Sequence, residues 1–114
     1  MTLPCPACGF LTIQQDSYGS YLICPICNWE DDPWQLANPA LGGGANIQSL
    51  VETQRTVILN HPLTETSFRG IKRDSSWRPL SADERERAEA ETQIQGGSNE
   101  SVYKLSEVYW RRLH

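Results

Sequence analysis

The sequence predicts a small α+β fold, in which a β-hairpin with two zinc knuckles, of zinc-ribbon or rubredoxin-like type, is followed by helices packed against it. The first observation is that all four cysteines lie in two C-x-x-C pairs separated by fifteen residues. The second is that later segments have the capping residues or the apolar spacing of helices. The composition, 39% hydrophobic with a mean hydropathy of -0.50, is typical of a soluble protein with a modest core.

Each cysteine pair has the residue types of a metal-binding knuckle as well as its spacing. Pro6 and Pro25 follow the first cysteine of each pair and fix the backbone torsion there. Gly9 and Asn28 follow the second cysteine, where a left-handed conformation turns backbone N–H groups toward sulfur. Four thiolates at this spacing predict one structural Zn²⁺ per chain. The predicted ligands are Cys5, Cys8, Cys24 and Cys27.

The same four cysteines have three alternative uses, which the sequence favours less. Two disulfides require an oxidising compartment, but residues 1–4 have neither a basic region nor an apolar core, so we expect a soluble, cytoplasmic protein. A thioredoxin-like redox pair needs one C-x-x-C at the start of a helix. Iron is the closer alternative, because Cys-Pro-x-Cys followed by Gly also resembles a rubredoxin knuckle, although rubredoxin knuckles lie further apart in sequence.

Charge is distributed unevenly along the 114 residues. Residues 1–50 contain four acidic and no basic side chains, for a formal charge of -4, and the rest of the chain sums to zero. Zn²⁺ held by four thiolates adds two further formal negative charges to the first half. Because nucleic-acid binding depends on Lys and Arg that neutralise phosphates, this distribution disfavours nucleic acid and favours a basic protein partner.

Three of these acidic residues lie between two tryptophans. One interpretation is a turn in which Trp29 packs on the metal knuckle and the carboxylates are solvated. The other is an exposed acidic and aromatic patch that binds Arg or Lys of another protein. The two interpretations are compatible if Trp29 packs on the knuckle while Trp34 is exposed. The candidate partner-binding residues are Trp29, Glu30, Asp31, Asp32 and Trp34.

The first half contains the predicted hairpin and a first helix. Residues 10–13 and 20–23 have the composition of short strands, and we expect them to pair and so bring the two cysteine motifs together. Ser49 and Glu52 form a capping box. They predict a helix over about residues 50–60, with its apolar stripe against the hairpin.

The second half is predicted to be more polar. Residues 63–80 are expected to be irregular, with four basic side chains around Trp77 that form either a solvated loop or a contact for an anionic ligand or partner. Residues 82–93 predict a charged helix that starts at a second capping box. Residues 102–113 have the spacing of an amphipathic helix that docks on the core or on a partner.

The length is that of one domain. We predict a zinc-ribbon-like part with the first helix over residues 1–62, and a polar loop with C-terminal helices over residues 63–114, within the same compact unit. The Gly- and Pro-rich segment at 38–46 lacks the Lys and Ser or Thr of a phosphate-binding loop. We expect it to be a flexible entry to the first helix.

The first half also resembles a known family. The motifs that carry the resemblance are the two cysteine pairs with their prolines, the Trp-Glu-Asp-Asp-Pro run at 29–33, Gln35-Leu36, the Gly-Gly-Ala-Asn run at 43–46 and Ser49-Leu50. In this order and at these gaps, they resemble the bacterial CPCC family of small cysteine-rich proteins over about residues 3–60. Ala7 stands where the family motif has a third cysteine, which leaves four ligands and disfavours redox chemistry. The resemblance implies a zinc-ribbon protein and, because some members are encoded beside toxin genes, an immunity or antitoxin role.

We see no catalytic constellation in the sequence. No Ser lies in a G-x-S-x-G elbow, and cysteines that hold a metal are not free nucleophiles. We therefore predict a non-enzymatic, zinc-binding interaction module that binds and neutralises a basic protein, such as a toxic nuclease. The alternatives are a rubredoxin-like iron electron carrier and a zinc-ribbon protein associated with nucleic acid.

Overall fold

Short strands and helices surround the two cysteine motifs in a computed structural model, which describes residues 2–95 and 108–111. The strands form two antiparallel pairs, β1 with β2 and β3 with β4. The elements in chain order are β1 Leu3–Pro4, β2 Leu11–Ile13, α1 Pro33–Ala37, α2 Leu50–Asn60, β3 Ser67–Phe68, β4 Ile71–Lys72, α3 Ala82–Gln95 and a 3-10 turn at Tyr109–Arg111. The predicted α+β class is confirmed.

The two cysteine knuckles each close within a hairpin of their own. β2 pairs with β1, with Ile13 opposite Leu3, so the first knuckle lies between its own two strands. The second knuckle closes through an antiparallel bridge between Ile23 and Glu30. The predicted pairing of β2 with residues 20–23 was therefore wrong. Closing a short loop costs less entropy than closing a long one, so each knuckle pairs with its nearest neighbours in sequence.

Left-handed residues reverse the chain at both knuckles, as predicted. Gly9 has a φ of +80° and Asn28 a φ of +67°. The N–H of Gly9 donates to the carbonyl of Cys5 at 2.8 Å, and the N–H of Asn28 donates to the carbonyl of Cys24 at the same distance. The two halves of the site are thus built alike, although they pack differently against the rest of the chain.

Helix α2 lies against the first knuckle, which confirms the predicted first helix. The capping box of Ser49 and Glu52 is present, with both reciprocal hydrogen bonds formed. The apolar stripe is buried, and the amide of Gln54 donates to the carbonyl of Pro6 at 3.0 Å. The buried residues of α2 are Leu50, Val51, Gln54 and Val57.

The segment predicted to be irregular forms the hairpin of β3 and β4 and then covers the first knuckle. Its turn at Arg69 and Gly70 has φ values of +52° and +80°, as tight hairpins require. Trp77 is buried against Gly9, where an added Cβ would lie 2.3 Å from the indole ring. Only glycine fits at this position, because both the positive φ and the close ring exclude a side chain.

Helix α3 confirms the second predicted helix and its capping box of Ser81 and Glu84. The predicted helix over residues 102–113 lies mostly outside the described residues. Within them, Tyr109–Arg111 form a 3-10 turn, and Val108, Tyr109 and Trp110 are buried in the core. No helix in the described part of the chain has both the length and the apolar character needed to cross a membrane.

Candidate metal centre

The four cysteine sulfurs converge at the meeting point of the two knuckles. All four Sγ atoms lie within 4.8 Å of one another. Cys5 Sγ is 3.6 Å from Cys27 Sγ, and Cys8 Sγ is 3.7 Å from Cys24 Sγ. Tetrahedral ligands at a Zn–S distance of about 2.3 Å are separated by about 3.8 Å, so these spacings suit a metal ion bound by four thiolates.

The donor set is buried and its thiols influence one another. Cys5, Cys8 and Cys24 are inaccessible to solvent, and Cys27 is half-buried. Burial, together with hydrogen bonds among the thiols, raises the pKa of Cys5. Hydrogen bonds from Cys27, Cys5 and Cys8 lower the pKa of Cys24. A buried sulfur cluster that stabilises thiolate at one member is suited to sharing that negative charge with a cation.

Polar groups around the sulfurs hold Cys24 in place. The Thr12 hydroxyl donates to Cys24 Sγ at 3.2 Å, and the N–H of Ile26 donates to the same sulfur at 3.4 Å. Such bonds orient metal ligands and stabilise their charge. With four sulfurs as ligands, a tetrahedral ion has no position left for substrate, so the arrangement suits a structural metal rather than a catalytic one. The role of Thr12 was missed, because a strand threonine has no distinguishing spacing in the sequence.

Arg73 links the second half of the chain to the first knuckle. Its Nε donates to the carbonyl of Cys8 at 2.8 Å. Its guanidinium carbon, Cζ, lies 4.6 Å from the centre of the Phe10 ring and 5.5 Å from that of Trp77, which are cation–π distances. It also donates to three further carbonyls, those of His61, Pro62 and Glu65. The side chain is therefore committed to internal contacts, so the predicted basic cluster is not an open anion site at Arg73.

The predicted acidic and aromatic patch lies mostly inside the protein. Trp29 is 1% exposed, Asp31 0% and Asp32 4%. Both interpretations placed the carboxylates at the surface, and for Asp31 and Asp32 this was wrong. Glu30 is half-buried, and Trp34 is 37% exposed. Trp29 is thus buried while Trp34 reaches the surface, which is the arrangement that would allow both interpretations to hold in part.

The buried carboxylates have structural partners that explain their position. Asp31 Oδ2 accepts from the N–H groups of Gly19 and Ser20 at 3.0 and 2.9 Å and from the Ser20 hydroxyl at 2.6 Å. Asp32 caps α1 by accepting from the N–H of Trp34 at 2.8 Å and also accepts from Ala45 at 2.9 Å. Short polar residues before a proline and a helix are typical N-caps. That signal was present in the sequence, but the acids were interpreted as solvated or as contacts with a partner.

A buried amide network locks the Gly-rich loop onto α1. Gln35 is inaccessible to solvent, and its Nε2 lies 3.0 to 3.1 Å from the carbonyl oxygens of Leu41, Asn46 and Gln48. Its Oε1 accepts from the N–H of Asn46 at 2.9 Å. An added Cβ at Gly44 would lie 2.5 Å from an oxygen of Asp32. The loop is therefore fixed by hydrogen bonds, whereas we had expected a flexible segment.

These observations define a small α+β protein with two sulfur knuckles of zinc-ribbon-like form and a four-cysteine cluster that could bind a metal ion. The model of the cysteine-rich CPCC family matches residues 3–68, which is more than half of the chain. The chain therefore belongs to the cysteine-rich CPCC family, as its motifs indicated. A search of curated proteins found no significant match.

Family membership gives a structural meaning to the shared motifs. The matched range contains both knuckles, α1, the Gly-rich loop and α2. Within it, the acidic run supplies a turn anchor and a helix cap, and the Gly-Gly-Ala-Asn run supplies the loop that Gln35 holds. In this chain, the motifs thus hold the turn before the second knuckle, the start of α1 and the loop that follows α1.

Proposed function

We propose that the protein is a non-enzymatic module in which one zinc ion stabilises the fold and an acidic surface binds a basic protein. The observation that carries the proposal is the convergence of four cysteine sulfurs, three of them from fully buried residues, at separations suited to a tetrahedral ion. Zinc is the metal we propose because four cysteines in two knuckles form its usual structural site. A bound ion of this kind contributes on the order of 10 kcal/mol to a small fold.

The charge of the first half supports a basic partner. Residues 1–50 carry four acidic side chains and no Lys or Arg, and four thiolates with Zn²⁺ make this half more negative still. Opposite charge speeds association and suppresses wrong partners. Neutralisation of a toxic nuclease is the specific form of this proposal, since such enzymes need a basic surface to bind nucleic acid.

The burial of Asp31 and Asp32 changes the residues we propose as contacts. Glu30 and Trp34 remain from the candidate set, because they reach the surface. Tyr21, Leu22 and Ile23 lie beside the second knuckle and are 54%, 37% and 61% exposed. Exposed aromatic and aliphatic side chains are typical of a protein-binding surface, and Glu30, opposite Ile23 in the bridge, adds an acidic side chain to this one.

The test is to purify the tagged chain with its partners at low salt from cells that encode it, identify the proteins bound, and measure the affinity of the purified complex as salt is raised. The proposal predicts a basic partner whose affinity falls as ionic strength rises. An acidic partner, or an affinity independent of salt, would contradict it.

Surface variants separate a specific contact from general charge. A Glu30→Gln and Trp34→Ala double variant should weaken the complex by tenfold or more, because it removes an acidic and an aromatic contact. The control is Leu59→Ser on α2, where Leu59 is 84% exposed. Equal loss in the two variants would count against the proposed contacts while leaving the partner itself identified.

A further inference from the structure

The second knuckle has a backbone edge that the described part of the chain leaves open. Ile23 and Glu30 face each other in the antiparallel bridge, and the flanking bonds run from Cys24 to Trp29 and from Asp31 to Leu22, at 2.8 and 2.9 Å. In this type of pair, the facing residues direct their own N–H and C=O groups away from each other. Each of them therefore presents an outer edge.

The two outer edges differ in what occupies them. The edge of Glu30 is filled by Asn46, whose Oδ1 accepts from the N–H of Glu30 at 2.9 Å and whose Nδ2 donates to its carbonyl at 2.9 Å. The side-chain amide thus replaces a neighbouring strand. Ile23 makes no hydrogen bond to any described residue, and its side chain is 61% exposed. An edge of this kind is a template for pairing with another chain.

Tyr21 is held beside this edge in a costly conformation. Its φ is +60°, a region that bulky residues seldom adopt, and its ring is 54% exposed. The bonds from Gly19 and Ser20 to the buried carboxylate of Asp31 fix the turn before it. Backbone strain that is retained for an exposed aromatic is typical of a binding site, because glycine would relieve it.

We propose that the edge at Ile23 receives an extended, basic segment of a partner protein, which adds one strand to the second knuckle through the N–H and C=O groups of Ile23. This inference rests on the proposed function and gives the partner a place to bind. β-strand addition combines such backbone bonds with contacts to alternate side chains. Tyr21, Leu22 and Ile23 supply the apolar contacts.

The charge beside the edge of Ile23 favours a basic segment as the partner strand. The carboxylate of Glu30 lies on the same face as Ile23, since facing residues of a bridge project together. It forms no ion pair with the described residues. Lys or Arg of an incoming segment therefore finds an unpaired acid beside the edge. A second copy of the chain would bring two acidic halves together, and this repulsion favours a basic segment instead.

The proposal is tested with the full-length, zinc-loaded protein and two synthetic heptapeptides, one alternating Lys with Val and one alternating Glu with Val. Amide chemical shifts are followed by NMR as each peptide is added. We expect the Lys peptide to shift the amides of residues 21–23 and the Glu peptide to leave them unchanged. Shifts at these amides that depend on protein concentration alone would show that a second copy occupies the edge, and would overturn the proposal.

Two variants test the backbone and the strained aromatic separately. Ile23→Pro removes an N–H that makes no internal bond, so the affinity for the Lys peptide should fall at least about fivefold. Ile23→Val keeps the N–H and should leave the affinity unchanged. Tyr21→Gly should also weaken binding of the peptide, while raising the urea midpoint of unfolding because glycine adopts a φ of +60° without strain. Its control is Arg69→Gly, since Arg69 has a φ of +52° in a turn of the other hairpin. Arg69→Gly should relieve strain without weakening the peptide.

The result also distinguishes this inference from the proposed function. If the Lys peptide binds but shifts amides elsewhere, or if Ile23→Pro, zinc-loaded and folded, binds it as well as the original chain, the edge is not the site, although a basic partner remains supported. If a partner identified from cells proves acidic, the proposed function fails as well.

Discussion

At the scale of single residues, glycine and amide positions carry much of the structure around the sulfur cluster. Gly9 and Gln35 are both buried and are not among the predicted ligands. Gly9 leaves room for Trp77 against the first knuckle. The two N–H groups of the Gln35 amide are shared among three carbonyls, those of Leu41, Asn46 and Gln48. Substitutions there test whether the surroundings of the metal centre are as constrained as its ligands.

Gly9→Ala should destabilise the protein by about 3 kcal/mol, since it combines strain at positive φ with overpacking against Trp77. Gly43→Ala is the matched control, because Gly43 has a φ of +81° but nothing within 4 Å of an added Cβ. It should lose only about 1 kcal/mol. The free energies of unfolding come from urea titration. Equal losses would show that Trp77 does not press on Gly9.

Gln35→Leu should destabilise the protein by about 3 kcal/mol, because it removes the donor to the Leu41 and Gln48 carbonyls and the acceptor of the Asn46 N–H, and leaves these groups unpaired. Gln48→Leu serves as the control, since the side chain of Gln48 is exposed and only its carbonyl is bound by Gln35. Its effect should stay within about 0.5 kcal/mol. The measurement is again urea unfolding. A Gln35→Leu variant that loses no more stability than Gln48→Leu would mean that the Gln35 amide does not hold the loop.

At the scale of elements, the sequence predicted helices better than strands. Capping boxes at Ser49 and Ser81 marked the starts of α2 and α3 correctly, because a cap is a local signal. Strand pairing is not local. Residues 20–23 were predicted to pair with β2. Instead, the left-handed residue Asn28 reverses the chain after the second knuckle, so that Ile23 pairs with Glu30.

The acidic run shows a second limit of sequence interpretation. The four ligands could be predicted because cysteine spacing has few other uses. The environment of Asp31 and Asp32 could not be predicted, because the sequence does not distinguish a carboxylate that binds N–H groups of a turn from one that faces solvent. Short α1 was missed for the same reason, although Asp32 before Pro33 is an N-cap followed by a proline.

An ion pair between Arg78 and Glu84 joins α3 to the segment before it. Arg78 donates to both carboxylate oxygens of Glu84, at 2.6 and 3.1 Å, and also to the carbonyl of Tyr109. Burial alone raises the pKa of Glu84, but the bonds from Arg78 and Ser81 outweigh it and lower the pKa to about 2. The folded state therefore binds the charged carboxylate more strongly than the unfolded chain does.

Glu84→Gln should destabilise the protein by about 2 kcal/mol at neutral pH, because a bidentate charged pair is lost. A depressed pKa gives stability that is present above the ordinary value of 4.5 and is lost as pH falls toward 2. The difference between variant and original should thus shrink below about pH 4.5. Urea midpoints at several pH values measure it, with exposed Glu86→Gln as the control. A difference that is constant with pH would contradict this account.

At the scale of the whole molecule, the first knuckle is the point where separate parts of the chain meet. The carbonyl of Pro6 accepts from Gln54 of α2 and from the indole of Trp77. Gln54 also donates to the hydroxyl of Tyr109. The knuckle that carries Cys5 and Cys8 is therefore connected to α2 and to the 3-10 turn by buried contacts. If the proposed metal is bound, its loss should destabilise these elements together with the knuckle.

Removal of zinc with a strong chelator should unfold α2 together with the knuckles, because the site is assembled only in the folded state. The helical signal in circular dichroism is expected to fall with the zinc content and to return when zinc is added. Cys8→Ser should show the lower signal without chelator. A helical signal that survives chelation would show that the core is stable without the ion.

The proposed zinc site is tested by native mass spectrometry of the purified chain, followed by alkylation of its thiols. We expect one zinc ion per chain, with all four cysteines protected until the metal is removed. A chain that carries iron and absorbs visible light would be an electron carrier instead, and a chain without metal whose four thiols react freely would contradict the proposed metal centre.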